Sequence, residues 1–244
     1  MPMNNIQGYG WTRWQNSTPK PTPDKVPMNT RQSILLRYPS ASLLLIQLLG
    51  ILLYPFLEDL SHGRAIMGVF GTVVLVAALR MVRRSPLIQW VAFTLAACIL
   101  VLTAVGEVRG GPVLKLWLAI LEAAFYFYAA ASLIAYMMED QRATTDELFA
   151  VGATFTLLAW AFAYSFDVCQ LLIPGSFIAA VDPQAPRSWI ELLFLSFSIL
   201  SGVGIGDILP LSPMARALVM LEQFAGVMYI ALVVSRLIAL TIRR

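Results

Sequence analysis

Three glycines alternate with apolar residues in the segment SGVGIGD, residues 201–207, and an aspartate closes the series. Glycine fills no core space and weakens a helix, so this run indicates a need for backbone without side chains. Alternating glycines allow left-handed backbone angles that turn successive carbonyl oxygens toward one side. Such a row of oxygens can replace the water around a cation, and the segment therefore predicts coordination of an ion by the main chain.

The residues before the glycines predict how this backbone is positioned. The sequence SWIELLFLSFSIL, residues 188–200, is apolar, but a helix of this length rises only about 20 Å and cannot cross a bilayer. Ser188 and Glu191 have the S-x-x-E spacing of a capping box, which starts a helix. Non-helical backbone inside a membrane is tolerated only where protein buries it or where it lines water. We therefore predict a re-entrant helix followed by glycines that are either buried in protein or line a water-filled passage.

The remainder of the chain has the composition of a membrane protein. Its 244 residues are 59% hydrophobic and 13% charged, whereas a soluble domain is about half apolar and a quarter charged. A soluble helical bundle would keep a polar face on each helix, which these long apolar blocks lack. The prediction is an all-α membrane protein with six transmembrane helices besides the re-entrant helix. The six blocks are residues 40–57, 65–82, 86–106, 112–138, 147–166 and 213–242.

The distribution of charge predicts the orientation in the membrane. Residues 1–38 are polar and rich in proline, which predicts a disordered tail. An even number of spans places both termini on one side, and the tail together with Arg80, Arg83 and Arg84 makes that side basic. Positive charge favours the cytoplasm, so we expect a multi-pass protein of the cell (inner) membrane with both termini cytoplasmic.

Other kinds of chemistry have little support in the sequence. His62 is the one histidine, and no cluster has the spacing of metal ligands. The glycine run lacks the lysine that follows a phosphate-binding loop. A net charge of +3 is weak support for nucleic-acid binding, and secondary transporters typically carry broken helices in pairs rather than one. The sequence therefore predicts that the protein is not an enzyme, binds no nucleic acid and needs no cofactor.

The segment SGVGIGD resembles the potassium-channel signature T-V-G-Y-G-D. The following DILPLSPMAR resembles the link to an inner helix, and residues 146–240 as a whole resemble small bacterial proteins with the two-helix ion-channel pore domain. The first four spans resemble that group only in number and hydropathy. The resemblance implies a homotetramer in the lipid bilayer that passes monovalent cations, with K⁺ as the permeant ion.

The same resemblance divides the chain into parts. It implies a four-helix transmembrane domain at residues 39–142 and a pore domain at residues 143–244. Within the pore domain it implies an outer helix at 146–168, a pore helix at 188–200, a selectivity filter at 201–207 and an inner helix at 213–242.

Individual residues take their expected roles from the resemblance. Four carbonyls would coordinate K⁺ and a further glycine would complete the filter: Gly202, Val203, Gly204, Ile205 and Gly206. Residues expected to support the filter are Ser201, Asp207, Phe194, Ser198 and Glu222. The expected hinge, cavity and gate residues of the inner helix are Gly226, Val227, Ile230 and Val234.

The filter departs from the family pattern at two positions. Gly202 stands where a threonine hydroxyl usually completes the innermost ion site, and Ile205 replaces a tyrosine that often bonds to aromatic neighbours. Phe194 and Leu195 occupy places often held by tryptophan, and neither side chain has a donor. We therefore expect weakened selectivity for K⁺ over Na⁺, and expect Gly202→Thr to tighten it. The alternative is a non-conducting structural or regulatory subunit with a degenerate filter.

Charges inside the spans bear on gating. A voltage sensor needs several arginines at every third helical position, and the fourth span carries only Lys115 and Glu122. We therefore predict a channel that is not voltage-gated. Glu222 lies at the middle of the last span, where it is expected to hydrogen-bond Ser196 or Ser198 or else to act as a protonatable gate.

Overall fold

The computed structural model describes residues 38–58, 63–83, 87–139 and 145–242. The tail predicted for residues 1–38, apart from its last residue, and the polar turn around His62 lie outside the described residues. The described residues form helices joined by turns, with one pair of two-residue strands. The elements are α1 (Pro39–Glu58), α2 (Gly63–Val82), α3 (Gln89–Arg109), α4 (Pro112–Glu139), α5 (Thr145–Leu172), β1 (Phe177–Ile178), α6 (Trp189–Leu200), β2 (Leu209–Pro210) and α7 (Pro213–Ile242).

Four helices are long and apolar enough to cross a membrane within the described residues. These spans are Gln89–Gly106, Pro112–Met138, Thr145–Leu172 and Pro213–Arg236. The apolar parts described for α1 and α2, Pro39–Tyr54 and Gly71–Val82, are shorter. The structure therefore confirms an all-helical architecture, and in the described residues four of the six predicted blocks form helices long and apolar enough to cross a membrane.

Helix α5 is the centre of the packing. Helix α4 lies antiparallel to it, with Tyr126 against Trp160 at 5.4 Å between ring centroids and stacked on Tyr164 at 5.6 Å. Many of the buried residues at this interface are alanines, which let the two backbones approach closely in an apolar solvent. The half-buried acid of α4, Glu122, is hydrogen-bonded by Tyr164 of α5.

Helix α1 packs along another side of α5 through a polar seam. The backbone nitrogen of Ser40 donates to Asp146 at 3.1 Å and its hydroxyl donates to the same carboxylate at 2.9 Å. Further along, Thr156 donates to the side chain of Gln47 at 2.7 Å. The two helices therefore run in the same direction, as four successive reversals of the chain would place them.

The start of α1 and the end of α7 lie at the same end of α5. Ser40 contacts Asp146 there, and Arg236 of α7 forms an ion pair with the neighbouring Glu147, with 3.3 Å between nitrogen and oxygen. Both acids are buried. The first and last described helices thus begin and end on one face of the bundle.

Candidate functional site

Helix α6 is the predicted re-entrant helix, and its first turn is fixed by side chains. Glu191 N donates to the Ser188 hydroxyl at 3.4 Å, and Ser188 N donates to the Glu191 carboxylate at 2.6 Å, which completes the predicted capping box. The buried Arg187 pairs with Glu191 at 3.1 Å and also donates to backbone carbonyls of the preceding loop. The start of α6 is therefore tied both to itself and to the loop before it.

Aromatic packing buttresses α6 from outside. The Trp189 ring contacts Trp160 at 5.0 Å and Tyr164 at 5.7 Å between centroids, and it also lies 6.5 Å from Tyr54 of α1. The contact between Trp189 and Trp160 is edge-to-face, a geometry that adds stability beyond simple burial. Residues of α1 and α5 thus position the first turn of α6.

The loop that contains the glycines is closed at its base. Strands β1 and β2 pair antiparallel, with Phe177 opposite Pro210 and Ile178 opposite Leu209. The Ser212 hydroxyl donates to the Ser176 hydroxyl at 2.9 Å. These contacts hold residues 176–178 against residues 209–212. Helix α6 and the filter segment, defined as residues 201–207, lie between these two points in the chain.

Two of the three alternating glycines have the predicted left-handed backbone. The φ angles are 74° at Gly202 and 68° at Gly204, which cost about 1–2 kcal/mol for a residue with a side chain. Gly206 does not share this angle; a Cβ there would lie 3.4 Å from the Phe194 ring. The left-handed angles that alternating glycines allow are therefore present at Gly202 and Gly204, whereas Gly206 lies against the Phe194 ring and does not adopt one.

Ser198 of α6 makes three hydrogen bonds to the filter segment. Its backbone carbonyl accepts from Gly204 N at 3.0 Å and from the Ser201 hydroxyl at 3.2 Å. Its own hydroxyl donates to the carbonyl oxygen of Ile205. The last turn of α6, whose carbonyls would otherwise lack partners, thus fastens the filter segment.

The filter segment is open in a single chain. Residues 201–207 are all exposed, including Asp207 at the end of the segment. The apolar side chains of Val203 and Ile205 are 61% and 69% exposed. Exposed apolar side chains of this kind are typical of a surface that contacts protein or membrane.

Glu222 joins three helices from a fully buried position. The Ser196 hydroxyl of α6 donates to the Ala159 carbonyl of α5 at 2.8 Å and is hydrogen-bonded to Glu222 Oε1 of α7. Within the described residues, Glu222 Oε2 has no hydrogen-bond partner. The hydrogen bond expected from the sequence is therefore present with Ser196, and it links α7 to the back of α6.

Removing the Glu222 carboxyl should weaken this link. We expect Glu222→Ala to destabilise the protein by about 2 kcal/mol, because it removes one hydrogen bond of the Ser196 hydroxyl and opens a cavity among packed helices. Glu222→Gln keeps both a hydrogen-bond donor and an acceptor at this place, so it should melt close to the wild type. Thermal unfolding in detergent measures both variants, and equal losses of stability in the two would contradict the role of the hydrogen bond.

Gly226 lies one helical turn beyond Glu222, on the same face of α7. A Cβ at this position would lie 2.2 Å from the carbonyl oxygen of Leu200 and 2.9 Å from its carbonyl carbon. Sequence reasoning assigned Gly226 a hinge role and missed this contact. The spacing of four residues from Glu222 was the available signal, because residues four apart share a helix face.

A second face of α7, beside the one that holds Glu222 and Gly226, is exposed. Val227, Ile230 and Val234, the residues expected to line a cavity, are 65%, 44% and 48% exposed. Tyr229 is buried instead and donates to the Val151 carbonyl of α5 at 2.6 Å. Helix α7 therefore packs against the rest of the chain with one face and leaves another face exposed.

Comparison with known proteins points to the same region. Residues 152–243 match a family model described as "Ion channel". That stretch runs from within α5 to beyond the end of α7 and includes α6 and the filter segment. Curated proteins and solved structures give no match. Across residues 152–243, this multi-pass helical protein is therefore similar to the ion-channel family, which supports a channel rather than an enzyme.

Proposed function

We propose that the protein is a tetrameric cation channel that conducts K⁺ passively through carbonyl oxygens of the filter segment. The observation that carries this proposal is the filter segment itself. Left-handed glycines alternate in it, and hydrogen bonds hold it at the C-terminal end of a short buried helix. The match of this region to the ion-channel family agrees with it.

The exposed surfaces of a single chain support the proposal of a tetramer. The filter segment and one face of α7 are exposed, and four copies around an axis would turn both toward a shared passage. The C-terminal ends of the four α6 helices would then direct their partial negative charge at the cavity, where it favours cations. Asp207 would add charge at the outer mouth.

The placement in the membrane is part of the proposal. The basic side predicted from the sequence is the cytoplasm, and the start of α1 and the end of α7 share one face of the bundle. We place both termini in the cytoplasm of a cell whose inner membrane the protein spans. Residues 39–142 would form the four-helix domain and residues 143–244 the pore domain.

Weakened selectivity is expected from side chains that lack polar atoms. Gly202 supplies no hydroxyl to the innermost site, and neither Ile205 nor the half-exposed Phe194 can donate a hydrogen bond that holds the filter width. The φ angle of 74° at Gly202 means that the Gly202→Thr variant would change the backbone as well as add a hydroxyl. A β-branched residue is strained in left-handed backbone, so that substitution tests strain together with selectivity.

Flux through purified protein in liposomes tests the proposal. We expect K⁺ and Rb⁺ to pass without coupling to another solute, and Na⁺ to pass more slowly but measurably. The conductance should vary little with voltage, because α4 carries Lys115 and Glu122 rather than a series of arginines. Reversal potentials under paired K⁺ and Na⁺ gradients give the selectivity.

Protein-free liposomes are the control for leak. Absence of cation flux above that control would favour the non-conducting subunit. Strict exclusion of Na⁺ would contradict the weakened filter while leaving the channel intact, and saturable uptake coupled to a second solute would indicate a transporter.

A further inference from the structure

We propose that Ser198 lowers the number of ion sites in the filter by binding the carbonyl oxygen of Ile205. This inference rests on the proposed function, because it concerns how the same carbonyls meet the ion. It names a residue of α6, outside the glycine run, as a determinant of ion selectivity.

The proposal starts from the hydrogen bonds of the carbonyl groups. The hydroxyl of Ser198 donates to the Ile205 carbonyl oxygen. In the described part of the chain, no donor reaches the carbonyl oxygens of Gly202, Val203 or Gly204. One of the four candidate oxygens is therefore directed at α6 of its own subunit, while the other three are available.

A carbonyl that points at α6 does not point at the passage that the filter would line. With the Ile205 oxygens withdrawn, three rings of carbonyls remain in a tetramer, and they enclose two complete sites between neighbouring rings. Gly202 adds no hydroxyl ring at the inner end. Selectivity for K⁺ over Na⁺ depends on the number and field strength of the coordinating oxygens, so fewer rings predict weaker discrimination.

The Ser198 hydroxyl is separable from the bonds that fasten the filter. Those bonds come from Gly204 N and the Ser201 hydroxyl, and both go to the backbone carbonyl of Ser198, which any residue supplies. Replacing Ser198 with alanine would thus delete one hydrogen bond and keep the other two. The released Ile205 carbonyl could then turn toward the passage and add a ring of oxygens.

Reversal potentials of the full-length protein in liposomes test this directly. We expect Ser198→Ala to raise the permeability ratio of K⁺ to Na⁺ by about fivefold, the factor that one net hydrogen bond represents. Ser198→Thr keeps the hydroxyl and should match the wild type. Ser165→Ala in α5 is the control, because its hydroxyl bonds the Ala161 carbonyl of its own helix and does not touch the filter segment.

A second measurement needs only the wild-type protein. Rb⁺ located by its density in the filter of the assembled channel should occupy two sites, both between Gly202 and Gly204. Rb⁺ bound between the rings of Gly204 and Ile205 carbonyls would overturn the inference even if Ser198→Ala does not fold.

The outcomes separate the inference from the proposed function. If the wild type and Ser198→Ala both conduct with the same permeability ratio, the inference is wrong and the channel stands. If the folded wild type passes no cation, the proposed function is wrong and the inference falls with it.

Discussion

Replacing Gly226 with alanine should push the inner helix α7 away from the end of α6 and abolish most cation flux. The added Cβ would lie 2.2 Å from the Leu200 carbonyl oxygen, and backbone atoms cannot turn aside as a flexible side chain can. Overpacking of this kind costs about 1–3 kcal/mol. The melting temperature in detergent should fall, and liposome flux of K⁺ measures the functional loss.

A hinge role for Gly226 predicts a different result. Alanine favours helix over glycine by up to about 1 kcal/mol, so loss of a hinge alone would leave the melting temperature unchanged or higher. Gly71→Ala in α2 is the matched control, because no atom lies within 4 Å of the added Cβ. A Gly226→Ala protein that melts like the Gly71→Ala protein would contradict the close contact.

Gly204→Ala should reduce K⁺ flux roughly tenfold, because a side chain disfavours the left-handed backbone by about 1–2 kcal/mol. The φ angle of 68° would relax and turn the neighbouring carbonyls away from their common side. The melting temperature of the subunit should change little, since the position is exposed and no atom lies within 4 Å of the added Cβ. Flux and thermal unfolding on the same preparation separate the two effects.

Gly206→Ala is the comparison for Gly204→Ala. Gly206 is not left-handed, and its Cβ would lie 3.4 Å from the Phe194 ring, which is close to ordinary contact. Its flux should fall less than that of Gly204→Ala. Equal losses in the two variants would mean that the backbone angle does not decide conduction.

Local patterns in the sequence predicted the elements that depend on neighbouring residues. The capping box of Ser188 and Glu191 marks the start of α6 because its two hydrogen bonds join residues three apart. The contact between Glu222 and Ser196 was also accessible, because a carboxyl in mid-membrane needs a partner and α6 offers few polar side chains. Apolar block length predicted the spans to within a few residues.

Contacts that depend on three-dimensional approach were not predictable from one sequence. The bond from Ser198 to Ile205 requires the filter segment to fold back along α6, and no spacing rule gives that direction. The close approach of Gly226 to Leu200 depends on how two helices cross. Which of the alternating glycines are left-handed was also not readable from the alternation, because the contact of Gly206 with the Phe194 ring joins the filter segment to α6.

The polar seam between α1 and α5 bears on how far the protein could be shortened. Asp146 and Thr156 find their partners on α1, in Ser40 and Gln47. A chain trimmed to the region that matches the ion-channel family, residues 152–243, would lose Ser40, Gln47 and Asp146, and Thr156 would keep only its bonds to the backbone of α5. We therefore expect a fragment that begins at residue 39 to be more stable than one that begins at residue 152.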